Sequence, residues 1–576
     1  SINPDFAQVE ADPAFVNLTA FEVQLEEKRP FFIENNTLFV HDYETHYFYS
    51  RRIGGLPLRL PHADAIDLPS QVRILGALAA NGYIESKTQI AAIAAVTDET
   101  QANALVNGRR TDLTISPLTF WGATRVERQL SDTSIAGVTG TLVERKLGGT
   151  GLDGLLDQSA FIASANAQLR TADNAWELFP WFGISGVFGT AAAIQTIEET
   201  PAHFFQRPGQ TYLHVDDDAH RMLGSIGGLY LTKRAGMYTG DVGFDYFTPG
   251  FELNDIGVFN QADTFELAAE LNRIVVVPTK HLYGWSTGVA LNQPLMFDGT
   301  RKPLAITYRA SATLPSFWSG SAVLNVNLPG TFPDLTRGGP NMHIDLFSNL
   351  TLQVASPSGR ANQLVGTLEL LESETWDHGI EANITAATRV VPSLRLDLVP
   401  SVTWLENKRQ YVATVTDVGG GQDTYGSRYI FGHLHRHEAA LQVRATWSLS
   451  PDMVITVFAQ PFISSGKYDQ IGELSDPDTG FVRWYDSEIR TGGTRRVIDN
   501  GTAFAVTEPD YTVASLRSTA VLRWEFRPGS TLYIAWQQQR GGVPINVAQP
   551  LHATVSDAFT QAAIHTLAIK LSYWFG

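Results

Sequence analysis

The feature that most limits this chain is a period of two. Leu567, Ile569, Leu571, Tyr573 and Phe575 share one parity, against Ala568, Lys570, Ser572 and Trp574. Leu516, Ala520, Leu522, Trp524 and Phe526 oppose Arg517, Thr519, Arg523 and Glu525 in the same way. Leu441, Val443, Ala445, Trp447 and Leu449 oppose Gln442, Arg444, Thr446 and Ser448, and Leu394, Leu396 and Leu398 oppose Arg395 and Asp397. Side chains alternate faces along a strand, so each stretch has one apolar and one polar side. No apolar run approaches the roughly 18 residues of a membrane helix. The remaining way to satisfy every backbone group in lipid is a closed barrel.

A soluble sandwich alternates too, and the connections separate the two cases. Short proline turns recur at 277–279, 314–316, 356–359, 391–393, 450–452 and 527–530, with long connections such as 466–511 and 540–565 between them. Proline presets a turn, and Ser, Asp and Gly complete it. Short turns on one side and long loops on the other are the outer-membrane pattern. Strands are expected at 46–53, 70–80, 83–97, 117–130, 133–147, 157–170, 178–191, 222–234 and 238–247. They continue at 263–276, 280–292, 302–313, 317–328, 342–356, 362–374, 378–391, 394–416, 429–449, 453–465, 513–527, 530–541 and 566–576. Asn81-Gly82 reads as a type I′ hairpin turn. The expected fold is all-β: a large closed antiparallel transmembrane β-barrel of about 22 strands (roughly 18–24), with short periplasmic turns and long extracellular loops. Residues 1–45 are expected to form a periplasmic or lumenal segment, an anchor or small plug, and 46–576 the barrel.

Composition agrees with a chain that meets two solvents. Charged residues are 18% and aromatics 11%, and the net charge of −17 argues against nucleic acid. There is no cysteine, so disulfides, zinc–thiolate sites and cysteine nucleophiles are excluded together. Ser1-Ile2-Asn3-Pro4 reads like the middle of a sequence, so upstream processing or trimming is expected.

Several stretches carry a resemblance. They are Asn3-Pro4-Asp5-Phe6-Ala7-Gln8-Val9-Glu10-Ala11-Asp12-Pro13, Asn17-Leu18-Thr19-Ala20-Phe21-Glu22 and Glu27-Lys28-Arg29-Pro30-Phe31-Phe32. Phe48-Tyr49-Ser50-Arg51-Arg52-Ile53-Gly54, Pro461-Phe462-Ile463-Ser464-Ser465-Gly466-Lys467-Tyr468 and Arg527-Pro528-Gly529-Ser530 continue it. Together they resemble a domain-of-unknown-function family of bacterial outer-membrane β-barrels. Its members usually carry an N-terminal module resembling family-nine carbohydrate-binding modules. That module would lie before Ser1, so its ligand chemistry does not transfer, and the family brings no catalytic residues. The final Tyr573-Trp574-Phe575-Gly576 resembles the aromatic-terminated last strand by which such barrels are recognised.

Candidate sites are few. His433, His435 and His437 fall on one strand face and suggest zinc or copper, against an ordinary rim of polar aromatics. They share parity with Leu441 and Trp447, so they are expected to point outward near the extracellular rim. Asp216, Asp217 and Asp218, between His214 and His220, suit a divalent cation or a solvated loop. Asp5, Glu10, Asp12, Glu22, Glu26, Glu27 and Glu34 offer calcium ligands without an EF-hand spacing; pairing to Lys28, Arg29, Arg51 and Arg52 is the plainer reading. Arg395, Asp397, Arg444, Arg517, Arg523, Glu525 and Lys570 are expected to face the lumen, with mixed signs and no one-sign selectivity ring.

No nucleophile elbow, His-Glu-x-x-His or phosphate loop is present, so no enzyme and no cofactor is expected. The leading expectation is a channel or transporter of the Gram-negative outer membrane, with carbohydrate as its cargo. An anchor or assembly platform for an envelope partner is the alternative, and a rim-active hydrolase the third. A TonB-dependent receptor fits the strand count, but the segment before the barrel leaves no room for the usual large plug unless one was trimmed away. Expected partners are outer-membrane lipid, lipopolysaccharide, a carbohydrate ligand and an envelope protein.

Overall fold

A computed structural model describes residues 12–29, 31–33, 39, 46–373, 377–416, 419–499 and 501–574. The chain is all-β, and 22 antiparallel strands belong to one large sheet. Contacts divide it into two compact units, Thr19–Glu270 with Asn292–Arg301, and Val9–Leu18 with Leu271–Leu291 and Lys302–Gly576.

The first unit holds β1 (Ile74–Ile84), β2 (Thr88–Thr97), β3 (Leu118–Gln129), β4 (Ile135–Lys146), β5 (Ser159–Arg170), β6 (Trp176–Phe188), β7 (Arg221–Lys233) and β8 (Tyr238–Phe247). Neighbours in this series pair antiparallel throughout. One parity is exposed and apolar: Leu78, Phe120, Val138, Leu142, Phe182, Ile184, Leu229, Leu231 and Val242. The other is covered. Ile93, Trp121, Val143, Ile162, Phe179, Trp181, Ile226 and Tyr230 pack there against Phe32, Phe39, Tyr47, Phe48 and Ile53 of the N-terminal segment, and against Phe251, Leu253 and Ile256. Each such side chain contributes about 1.5–3 kcal/mol by leaving water. The dry interior therefore lies on the inner face of the wall, and the outer face is left for hydrocarbon.

β9 (Thr264–Val275) and β10 (Gly284–Leu295) have residues in both units. The second unit continues with β11 (Ala305–Thr313), β12 (Ser319–Asn327), β13 (Phe347–Ala355), β14 (Asn362–Ser373), β15 (Asp377–Val391), β16 (Leu394–Val415), β17 (Arg428–Ser450) and β18 (Met453–Asp476). It ends with β19 (Phe481–Trp484), β20 (Tyr511–Arg527), β21 (Ser530–Gly541) and β22 (Ala563–Ser572). On β16 the outward series Leu394, Leu396, Leu398, Pro400, Val402 and Trp404 is apolar throughout, and Glu406 is its first charged residue. At about 3.3 Å per residue and a tilt near 45°, that series covers about 25 Å, the height of a lipid-facing band. Exposed aromatics mark its margins: Trp447, Trp524, Phe526 and Trp574 near the short turns, and Trp404 at the far end. An exposed apolar band between aromatic girdles is what a bilayer demands of a strand wall. The chain is an outer-membrane protein of bacteria on that architecture.

The proline turns fall in the short connections 276–283, 314–318, 356–361, 392–393, 451–452 and 528–529. Four expectations need correction. Residues 46–53 are not a strand: Tyr47, Phe48, Ser50, Arg52 and Ile53 are buried at both parities, whereas a wall strand must leave one parity to lipid. Asn81 and Gly82 lie inside β1, paired with Ala91 and Ile90, and the chain turns after them at Glu85, whose φ is 58°. Met342–Ile344 does not join β13; it pairs with Gly330–Phe332 in a small separate sheet. The sheet is also not closed, since among the described residues no ladder joins β1 to β22. β19 pairs only with the far end of β18, while β20 pairs with β18 directly. The segment Asn3–Ala11, the acids Asp5, Glu10 and Glu34, and Phe575-Gly576 lie outside the described residues.

Candidate functional site: a charged cavity on the inner face

The first unit contains a cavity of about 270 Å³, just under the roughly 300 Å³ at which ligand sites usually begin. β4 supplies its central cation. Arg145 has the parity of Val143 and Thr141, so it projects inward at the strand's far end. Its two terminal nitrogens donate separately, one to Asp157 Oδ2 and one to Asp255 Oδ1, both at 2.6 Å. Arg59 approaches Asp157 from the other side at 3.4 Å. Burial pushes the Asp157 carboxyl up, with Arg145 opposing and Asp255 adding to the rise. Against the same cost of burial, Arg145 and Arg59 hold Asp255 below the usual carboxylate range. The charges of the cluster are thus largely spent on one another.

Arg52 completes a second pair with Glu22 at 2.6 Å and donates to the Gly257 carbonyl at 3.1 Å. Trp121 borders the cavity and donates its indole N–H to Thr97 Oγ1 at 3.0 Å. Glu252, also on the lining, meets the buried His203 Nε2 at 2.8 Å. The arrangement offers donors and acceptors around an indole, which suits a small polar molecule.

Other parts of the N-terminal segment are held as firmly. Glu27 pairs with Arg29 at 2.7 Å, and Arg29 donates to the Ser50 and Ile53 carbonyls. Of its acids, Glu22 and Glu27 serve ion pairs. In the second unit, residues 12–18 hydrogen-bond to the inner wall. The Ala14 amide donates to Gln460 Oε1 at 2.8 Å, and Arg517 donates to the carbonyls of Asp12 and Pro13 at 2.8 and 3.1 Å. Gln410 and Arg337 both donate to the Leu18 carbonyl.

The seven residues read as lumen-facing stand on the face opposite the apolar belt. Arg395 pairs with Asp397 at 2.8 Å, and Arg444 lies across from Asp397 in register, over the Phe458 ring. Arg523 pairs with Glu525 at 3.1 Å, and Lys570 lies 5.9 Å from the Tyr533 ring centre. Arg517 touches the N-terminal segment, the one of the seven to do so among these contacts. Asp216, Asp217 and Asp218 lie in the 189–220 connection; the Asp216 amide donates to Glu198 Oε2 at 2.9 Å, and Asp216 Oδ1 accepts from the Asp218 amide. His433, His435 and His437 point outward: His437 meets the exposed Trp404 ring at 5.4 Å, and His433 and His435 lie 4.5 Å apart. The acids beside those two, Glu406 and Asp469, went unread in the sequence because they sit on neighbouring strands.

A profile of the family described as "Domain of unknown function (DUF5916)" matches residues 1–576. No curated protein sequence matches the chain. Among solved structures, the siderophore receptor PirA from Acinetobacter baumannii is similar at a TM-score of 0.39 and 7% identity, over 86% of this chain and 75% of that one. The outer membrane transporter YddB from Escherichia coli is similar at 0.34 and 8%, over 82% of this chain and 64% of that one. Likenesses of that size carry no argument about cargo.

Proposed function

Since the chain belongs to the family described as "Domain of unknown function (DUF5916)", a description that names no activity, we propose its function from geometry: an outer-membrane β-barrel transporter whose passage is occupied by its own N-terminal segment. The observation that carries this reading is the covered inner face. A wide barrel cannot fill itself with strand side chains, so it stays open or is plugged. Here Phe32, Phe48 and Ile53, with Phe251, Leu253 and Ile256, pack on the wall of the first unit, and residues 12–14 bond to the wall of the second. Polar anchors such as Gln460 and Arg517 hold a segment that can be displaced without unfolding the sheet.

Closure into a cylinder is part of the proposal, because hydrocarbon leaves no unpaired strand edge satisfied. Carbohydrate is the cargo we favour. Trp121 flanked by Arg52, Arg59 and Asn254 offers the stacking face and planar hydrogen-bonding groups that hydroxyl-rich molecules use. Lipid and lipopolysaccharide are the expected neighbours of the apolar band.

The test is conductance in planar bilayers, with swelling of proteoliposomes in sugar solutions beside it. The native chain should conduct little, and the Gln460→Ala, Arg517→Ala double variant should conduct more and admit neutral oligosaccharides. A folded variant that stays as tight as the native chain in both assays would remove the transport reading.

A further inference from the structure

The outward face of the second unit carries a cluster that transport does not use. Glu406 on β16 and His435 on β17 are register partners, and His433 lies one outward position further along β17. His433 Nε2 lies 2.9 Å from Glu406 Oε1, and His435 Nε2 lies 2.9 Å from Asp469 Oδ2 on β18. One ligand atom from each of Glu406, His433 and His435 falls within a common 4.8 Å, the single such group among the described residues. The Asp469 carboxylate is held by Lys467 through its other oxygen, at 2.6 Å, which leaves Oδ2 to the imidazole. The four side chains are partly exposed, at 26–43%.

Position adds a second argument. Trp404 closes the apolar series on β16, and the next outward residue is Glu406. The cluster thus stands at the first polar level beyond the far aromatic girdle, in reach of ions from water. We propose that Glu406, His433 and His435 form a binding site for a borderline divalent transition-metal ion, zinc(II) foremost, with Asp469 as a fourth ligand or as the carboxylate that orients His435. Two imidazoles with one or two carboxylates match zinc's preference for nitrogen and oxygen donors, and they exclude the all-oxygen shell that calcium and magnesium take. A tetrahedral ion with bonds near 2.1 Å needs its ligand atoms about 3.4 Å apart. Side-chain rotation closes the difference from the present spread, because adjacent strands already fix the backbones.

The experiment uses the full chain in nanodiscs after chelator treatment, titrated with zinc(II) by calorimetry and with cobalt(II) by visible absorption. One saturable equivalent and the absorption bands of a four-coordinate cobalt site are expected, with no comparable heat from calcium(II). His433→Ala and His435→Ala should each abolish the cobalt bands. Asp469→Asn should weaken zinc by about tenfold or more, and His552→Ala should change nothing. Absence of the bands in the native chain overturns the proposal even if a variant fails to fold. So does binding that survives loss of both histidines, or calcium that competes on equal terms.

Discussion

The inner wall of the first unit and that of β11–β15 in the second serve opposite purposes. In the first, the inner face is a packing surface. Trp121, Val143, Ile162, Phe179 and Ile226 meet Phe48, Ile53 and Phe251, and charges are paired both at a small cavity and along the wall, as Arg125 is with Glu127. In the second, the inner faces of β11–β15 are polar. Thr307 bonds to Asn325, Asn349 to Glu369, and Glu381 stands across from Glu369 in register. Both walls expose Leu, Val and Ile outward. The outward rule is thus imposed by lipid everywhere, whereas the inward rule depends on what each stretch of wall faces.

That contrast can be broken by substitution. Phe48→Ala, in the packed interior, is expected to cost about 3–5 kcal/mol, read as loss of resistance to urea, while Asn325→Ala should cost about 1 kcal/mol or less. Equal losses would end the distinction between packed and polar inner faces. Arg145→Ala should destabilise by about 3–5 kcal/mol, because Asp157 and Asp255 would be left buried without their shared partner. If Asp157→Asn in the same background fails to restore part of that loss, the cluster is not held by charge. An outward Leu142→Arg should cost about 2–4 kcal/mol in refolding from lipid bilayers, as a charge in the band requires. A neutral result there would place the lipid boundary elsewhere.

The smallest effect concerns the loops. Arg428, Glu473, Arg483 and Asp499 form a network at the far ends of β17 and β18, and hydrogen bonding from Arg483 holds Asp499 below the usual carboxylate range. A depressed carboxylate contributes its full stabilisation above the unfolded value of about 4 and loses it as the pH falls further. Protease resistance of the 477–510 connection should therefore be constant from pH 5 to 8, drop below about pH 4, and become independent of acid in Asp499→Asn.

Much of the wall was legible because lipid enforces period two without exception. The expected 530–541 and 238–247 match β21 and β8 at both ends, and 394–416 overshoots β16 by one residue. What escaped lies where lipid has no say. β18 runs to Asp476 rather than 465, because its outer half is held by pairing to β17, Ile430 against Glu473, outside the band. The hairpin Thr100–Val106 and Arg109–Ser116 was missed although its turn, Asn107-Gly108, has φ values of 50° and 73°, the left-handed pair of a type I′ turn. Asn81-Gly82 carried the same letters inside a strand. The cavity was illegible for a different reason. Arg145 shows its parity, but Asp157 and Asp255 come from loops far apart in sequence, and nothing local announces that one guanidinium will join them.

β16, β17 and β18 are 22, 23 and 24 residues long, about twice what a bilayer crossing needs. Past Trp404 they rise as a stiff three-ribbon blade, by roughly 25 Å at the same tilt. On whichever side of the membrane the long connections lie, large particles arriving there meet that blade before any other part of these three strands.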